Sequence, residues 1–228
     1  MYRILLITIL AAGVLALRPM KAGTISGIVR AQGKQGAAEE AGGGNYSSKA
    51  LKNAERINYD DMRDFVVYIK GPVPGAKLVR PLEEIHQKDA NFVPHVLPVM
   101  IGTTVEFPND DNIFHNVFSK SDARPFDLGL YKKGDTPHPV TFTNYGEVDV
   151  FCSIHARMNC IILVRENPYF ALSGSRGHYT ITNVPPGTYT LVAWQERLPE
   201  DSKVITVPED GKPVVVNFTL EPKNLPKF

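Results

Sequence analysis

Val148-Asp149-Val150-Phe151-Cys152-Ser153-Ile154-His155-Ala156-Arg157-Met158 is the stretch on which the reading of this chain turns. Its first half alternates apolar and polar side chains with a period of two, the pattern of a half-buried strand. Cys152 keeps the parity of Val148 and Val150, so its sulfur is expected to face the same apolar interior. Just past the strand, a thiol, an imidazole and a thioether follow at the spacing Cys-x2-His-x2-Met. Outward from this segment the same period recurs. Phe65, Val67 and Ile69 alternate with Val66, Tyr68 and Lys70, while Val214, Val216, Phe218 and Leu220 share one face. Turn clusters such as Pro108-Asn109-Asp110-Asp111 and Pro185-Pro186-Gly187 separate the strands. Many short strands without a long helical period predict an all-β antiparallel sandwich or barrel.

Composition narrows the function classes. The 228 residues are 43% hydrophobic, enough for a real core, which excludes wholesale disorder. A net charge of +1 without a basic block excludes a nucleic-acid footprint. Two cysteines exclude a disulfide-dense scaffold. The N-terminus runs from Met1-Tyr2-Arg3 through uncharged Ile4 to Leu17 and ends in Arg18-Pro19-Met20-Lys21-Ala22. This pattern predicts a signal peptide over residues 1–22, a periplasmic or otherwise extracytoplasmic protein, and no membrane span after cleavage. Residues 31–64, with Gly42-Gly43-Gly44 and a short helix expected from Ser48 to Ile57, read as a flexible insertion or a functional lid.

A second imidazole lies in Asp110-Asp111-Asn112-Ile113-Phe114-His115-Asn116-Val117-Phe118, on a separate strand. Two histidines, one cysteine and a weak axial methionine form the ligand set of a blue-copper electron-transfer site. Thiolate and thioether suit Cu(I), and imidazole serves both oxidation states. The competing reading makes Cys152 and Cys160 a structural disulfide and Met158 a core residue.

On these residues the chain resembles the cupredoxins, most closely the pseudoazurin and amicyanin branch, over roughly Phe92 to Val164. Phe92-Val93-Pro94 through Leu97 and Gly102-Thr103-Thr104-Val105-Glu106-Phe107 are similar to the opening strands of that family. His115-Asn116-Val117 is similar to the segment of its first ligand. The resemblance implies one mononuclear type 1 copper ion, with His115, Cys152 and His155 equatorial and Met158 axial. It also implies that Asn116 ties the two ligand-bearing segments together and that the edge of His155 is the electron port toward transient redox proteins. Cys160, two residues past Met158, departs from the family as a buried free thiol or as a bridge to Cys152 in copper-free protein. His95 reads as a structural or surface residue, and His86, His138 and His178 as exposed ones.

Arg176-Gly177-His178-Tyr179-Thr180-Ile181, Pro185-Pro186-Gly187-Thr188-Tyr189-Thr190-Leu191 and Phe218-Thr219-Leu220 resemble a second family, the carboxypeptidase-regulatory or transthyretin-like sandwich. Ser26-Gly27-Ile28-Val29-Arg30 and Phe65-Val66-Val67-Tyr68-Ile69 resemble its first strands. The implied fold is a cupredoxin Greek-key sandwich over 71–166 inserted into a second sandwich made of 23–70 and 167–228, with three consecutive units and an N-terminal extension packed on the cupredoxin as the alternative. The expected function is single-electron transport between redox partners, with a periplasmic copper carrier or sensor as the alternative. Five methionines and no histidine cluster weigh against the carrier. The absence of His-x-His and of a Gly-x-Ser-x-Gly frame argues that the chain is not an enzyme.

Overall fold

The computed structural model describes residues 21–33, 58–77, 81–135 and 137–222. The expected signal sequence, apart from Lys21 and Ala22, and the core of the expected insertion with its helix lie outside the described residues. Eighteen strands run in chain order among the described residues. They are β1 (Gly23–Ala31), β2 (Val66–Ile69), β3 (Leu82–Glu84), β4 (His86–Lys88), β5 (Asn91–Val93), β6 (Val96–Met100), β7 (Thr104–Glu106), β8 (His115–Ser119) and β9 (Phe126–Tyr131). The remainder are β10 (Val140–Thr141), β11 (Gly146–Phe151), β12 (Asn159–Arg165), β13 (Phe170–Leu172), β14 (His178–Val184), β15 (Gly187–Gln195), β16 (Leu198–Val207), β17 (Val214–Val215) and β18 (Phe218–Leu220). The only helices described are one-turn 3-10 segments at Tyr59–Asp61 and Ser175–Gly177. The fold is all-β, as the period of two predicts.

β1 pairs antiparallel with β14 and parallel with both β17 and β18, while a second sheet runs β13-β2-β15-β16. These two sheets share a core that includes Ile25, Val29, Phe65, Val67, Leu191 and Phe218. A five-stranded sheet, β6-β12-β11-β8-β9, and a three-stranded one, β10-β7-β3, share another, around Phe107, Val117, Phe142, Val148, Val150 and Ile162. β4 and β5 form a separate hairpin. Close approach rather than chain flexibility explains Gly27. A Cβ there would lie 1.8 Å from the Val216 carbonyl oxygen, so β1 and the 216 segment can meet only without a side chain.

A third core corrects the expectation that β2 is half-buried. Phe65, Val67 and Ile69 face the first core, but Val66 and Tyr68 are buried as well. They pack with Val192 and Trp194 of β15 against Val96 of β6 and Ile161 and Leu163 of β12. β12 therefore buries both faces: Cys160, Ile162 and Val164 toward one core, Ile161 and Leu163 toward the other. A strand covered on both sides shows no polar alternation, and Asn159-Cys160-Ile161-Ile162-Leu163-Val164 shows none. Among the described residues no helix is long and apolar enough to cross a membrane.

Candidate metal centre

The five-stranded sheet carries the candidate residues. His115 opens β8, and Cys152 directly follows β11. The two strands meet where Phe151 pairs with Phe118. Residues 152–158 then form a tight loop before β12. The Cys152 N–H donates to the Met158 carbonyl at 3.1 Å, and the Met158 N–H donates to the His155 carbonyl at 2.9 Å. These bonds fold the Cys-x2-His-x2-Met segment back on itself, which is why a thiol and an imidazole three residues apart can face one point.

His115, Cys152 and His155 bring one ligand atom each to within 4.8 Å of one another. The two Nδ1 atoms are 3.0 Å apart, and His155 Nδ1 lies 3.6 Å from the Cys152 sulfur. The rings meet edge to face at 62° with centroids 4.8 Å apart. His115 is fully buried and Cys152 nearly so, while His155 is partly open to solvent. Met158, also fully buried, packs in the same apolar cluster as Cys152.

Asn116 contributes through its backbone. Its N–H donates to the Cys152 sulfur at 3.5 Å. Its side chain turns the other way and donates to Asp127 at 2.7 Å and to the Gly129 carbonyl at 3.1 Å, both on β9. Sequence reading missed Asp111, whose carboxylate accepts from His115 Nε2 at 2.8 Å. Burial pushes this carboxyl upward, but donation from the Ala90 N–H, His115 and the Asp89 N–H outweighs it and holds the group below its ordinary value. The spacing of four between Asp111 and His115 was the only available signal, and outside a helix it carries no geometric meaning.

The remaining singled-out residues lie elsewhere. Cys160 stands opposite Val150 in the β11–β12 ladder, and both cysteines are free and buried. Burial, with a contribution from Asp149, drives the Cys160 thiol far above its ordinary value, and Cys160 joins no ligand cluster among the described residues. His95 joins no ligand cluster. One ring nitrogen reaches the Asn159 carbonyl at 3.2 Å, and the other reaches Glu196 at 3.0 Å. His86 sits between Glu84 at 3.0 Å and Asp110 at 2.9 Å. His138 and His178 are exposed.

The donor set fits a soft cation. A carboxylate can only accept, so the Asp111 contact calls for a proton on His115 Nε2, and the tautomer that has it there presents an Nδ1 lone pair to the other donors. For metal–ligand bonds of about 2.0–2.3 Å, donors around one ion sit roughly 3–4 Å apart. The observed 3.0 and 3.6 Å separations match that spacing. Two imidazoles, a thiol and a neighbouring thioether together suit copper.

Two kinds of known protein are similar to parts of the chain. The family model that matches, over residues 165–214, is polysaccharide lyase family 4, domain II, rather than the expected transthyretin-like family. No curated protein matches. Among solved structures, a copper-containing nitrite reductase from Thermus scotoductus SA-01 is 33% identical with a TM-score of 0.36. That similarity covers 42% of this chain and 25% of the reductase, so the chain spans a quarter of that enzyme's length. A purple cupredoxin from Nitrosopumilus maritimus is 23% identical over 36% of this chain and 98% of its own, with a TM-score of 0.32. An amicyanin mutant in the Cu(I) form is 21% identical over 43% of this chain and 98% of its own, with a TM-score of 0.35. The expectation that the chain is not an enzyme is corrected by the first of these, since that structure belongs to a copper enzyme.

Proposed function

We propose that this protein holds one mononuclear type 1 copper ion and carries single electrons between redox proteins in an extracytoplasmic compartment. The observation that carries the reading is the convergence of His115, Cys152 and His155 on one point from two strands and a closed loop. In this reading those three residues would be the strong ligands, and Met158 would supply a weaker thioether contact. Residues 71–166 form the copper unit, and 23–70 with 167–228 form its scaffold. Bound copper supplies a one-electron change between Cu(I) and Cu(II). The protein holds its donors still, so that little rearrangement accompanies that change. Asp111 fixes one imidazole, and the Asn116 N–H stabilises charge on the sulfur. Ile113, Phe114 and Ile154, each about half exposed, flank the ligands in sequence and give a partner an apolar surface to cover.

The test is spectroscopic and electrochemical. Cu(II) added to the full chain gives an intense visible thiolate-to-copper band and a reversible one-electron wave at an electrode. Cys152→Ala removes both, and Cys160→Ala keeps both. Copper bound without the band, or a band that survives loss of Cys152, refutes the reading.

A further inference from the structure

The Asp111 carboxylate is engaged from three directions. One oxygen accepts the Asp89 N–H at 2.8 Å. The other accepts the Ala90 N–H at 2.9 Å and His115 Nε2 at 2.8 Å. Asp89 and Ala90 are the central residues of the β4–β5 hairpin, with φ of 54° and 53°. Positive φ at both central residues defines a turn that favours Asn-Gly and is unfavourable for an alanine. The sequence accepts that cost, and the turn points two consecutive N–H groups at one carboxylate. Asn109 fixes the other side of the arrangement. Its oxygen accepts the Asp111 N–H at 2.9 Å, and its amide donates to the Ile113 carbonyl at 3.0 Å and the Tyr131 carbonyl at 3.1 Å. The turn that carries Asp111 is thus tied both to Tyr131, which pairs with His115 across the β8–β9 ladder, and to Ile113 just before His115.

We propose that Asp111 is a positioning residue for the metal centre: it holds the proton of His115 on Nε2 and keeps Nδ1 bare toward Cys152 and His155, with the Asp89–Ala90 turn holding the carboxylate in place. This rests on the copper reading above. A carboxylate that already accepts three donors has no hydrogen to offer, so the opposite tautomer, with Nδ1–H facing the ligand point, would set an imidazole lone pair against an anion. The same contact makes the imidazole a more basic donor, which favours Cu(II) over Cu(I). An amide at position 111 removes the charge: with its oxygen where the Ala90 N–H and His115 meet it still accepts the Nε2 proton but no longer makes the imidazole a more basic donor, whereas alanine removes the acceptor as well. Asp110 provides the control. It also carries a carboxylate and is the next residue in the chain, but it meets His86 and not His115.

The experiment uses the full chain as wild type, Asp111→Asn, Asp111→Ala, Asp111→Glu and Asp110→Asn. Copper affinity is read by competition with a chelator, reduction potential by voltammetry, and the His115 tautomer by NMR of the diamagnetic Cu(I) form. Asp111→Asn is expected to lose roughly 10-fold in copper affinity and to raise the potential, and Asp111→Ala to lose roughly 10–100-fold and the protected Nε2 proton signal as well. Asp111→Glu restores part of each, and Asp110→Asn changes none of them. Where Asp111→Ala fails to fold, Asp111→Asn decides, because its amide oxygen still accepts from the 89–90 turn. Wild-type affinity and potential in Asp111→Asn overturn the proposal, as does an equal effect of Asp110→Asn. Wild-type protein that takes up no copper overturns the copper reading and this proposal with it.

Discussion

Two adjacent residues on β12 offer a sharp test of how the fold is built around the site. Ile162 and Leu163 are both completely buried. They point to opposite faces of the sheet, Ile162 into the core shared with Cys152 and Met158, Leu163 into the core shared with Val66, Tyr68, Val192 and Trp194. Truncating either to alanine deletes three carbons, about 2.4 kcal/mol at about 0.8 kcal/mol each. The cavity left behind adds on the order of 1–2 kcal/mol, at about 24 cal/mol per Å3. Both variants should therefore lose about 3–4 kcal/mol. With a urea slope of about 2–3 kcal/mol per molar, the unfolding midpoint falls by roughly 1–2 M in each. Only Ile162→Ala should also shift the thiolate-to-copper band, because only its cavity opens in the core that also holds the sulfur and the thioether. The assay is urea denaturation followed by fluorescence, paired with the visible spectrum of the copper-loaded protein. A Leu163→Ala variant that costs less than about 1 kcal/mol would mean that the β2–β15 and β6–β12 faces do not pack. A spectral shift in Leu163→Ala as large as in Ile162→Ala would mean that the two cores are not separate.

Three further outcomes follow from single contacts. Asn167 is buried and donates to the Ile69 carbonyl at 2.8 Å and the Gly71 carbonyl at 2.6 Å while accepting the Tyr169 N–H at 2.8 Å, so Asn167→Ala should cost roughly 1–3 kcal/mol in thermal or urea unfolding. Gly27→Ala places a Cβ against the Val216 carbonyl and should destabilise by about 1–3 kcal/mol, with loss of β1 amide protection in hydrogen exchange; unchanged protection refutes the register. The hydrogen bond to Glu196 raises His95 despite burial, and the same bond lowers Glu196. The histidine's contribution is complete below its ordinary 6.5 and fades as pH rises through its raised value, and the carboxylate's is present above its ordinary 4.5 and fades as pH falls through its lowered value. The stability gap between wild type and His95→Gln should be widest between about pH 4.5 and 6.5 and narrow toward pH 8; a gap that grows with pH refutes the assignment.

Period-two patterning was enough to read the strands and to orient Cys152, because parity decides which face a side chain takes. It failed at β2, where a second sheet covers the face that alternation assigns to water. Nothing local distinguishes Val66 and Tyr68 on a solvated face from the same residues under Trp194. The candidate ligands were legible because each residue type has a distinct metal chemistry and three of them share one short loop. Asp111 was not legible, since its role depends on a turn that brings Asp89 and Ala90 against it from a separate hairpin. The direction of the Asn116 side chain was hidden for a similar reason: a register irregularity between Asn116 and Phe118 in the β8–β9 ladder aims it at β9, and only its N–H faces the sulfur.

The way the donors are held separates two uses of such a site. A protein that hands its metal to another must let ligands move apart, and its donors belong on open or mobile segments. His115 and Met158 are fully buried, and Cys152 is nearly so. The 152–158 loop is closed by its own backbone bonds, and the strand that bears His115 donates directly to the sulfur. Release would require breaking several of these contacts together, at about 0.5–1.5 kcal/mol for each ordinary hydrogen bond and more for a charged one. Electron passage requires none of them to break, and the part-exposed ring of His155 leaves one edge of the cluster within reach of a partner. Donors held in this way would stay in place when the charge of a bound ion changed, and this supports the proposed carrying of electrons over the carrying of copper.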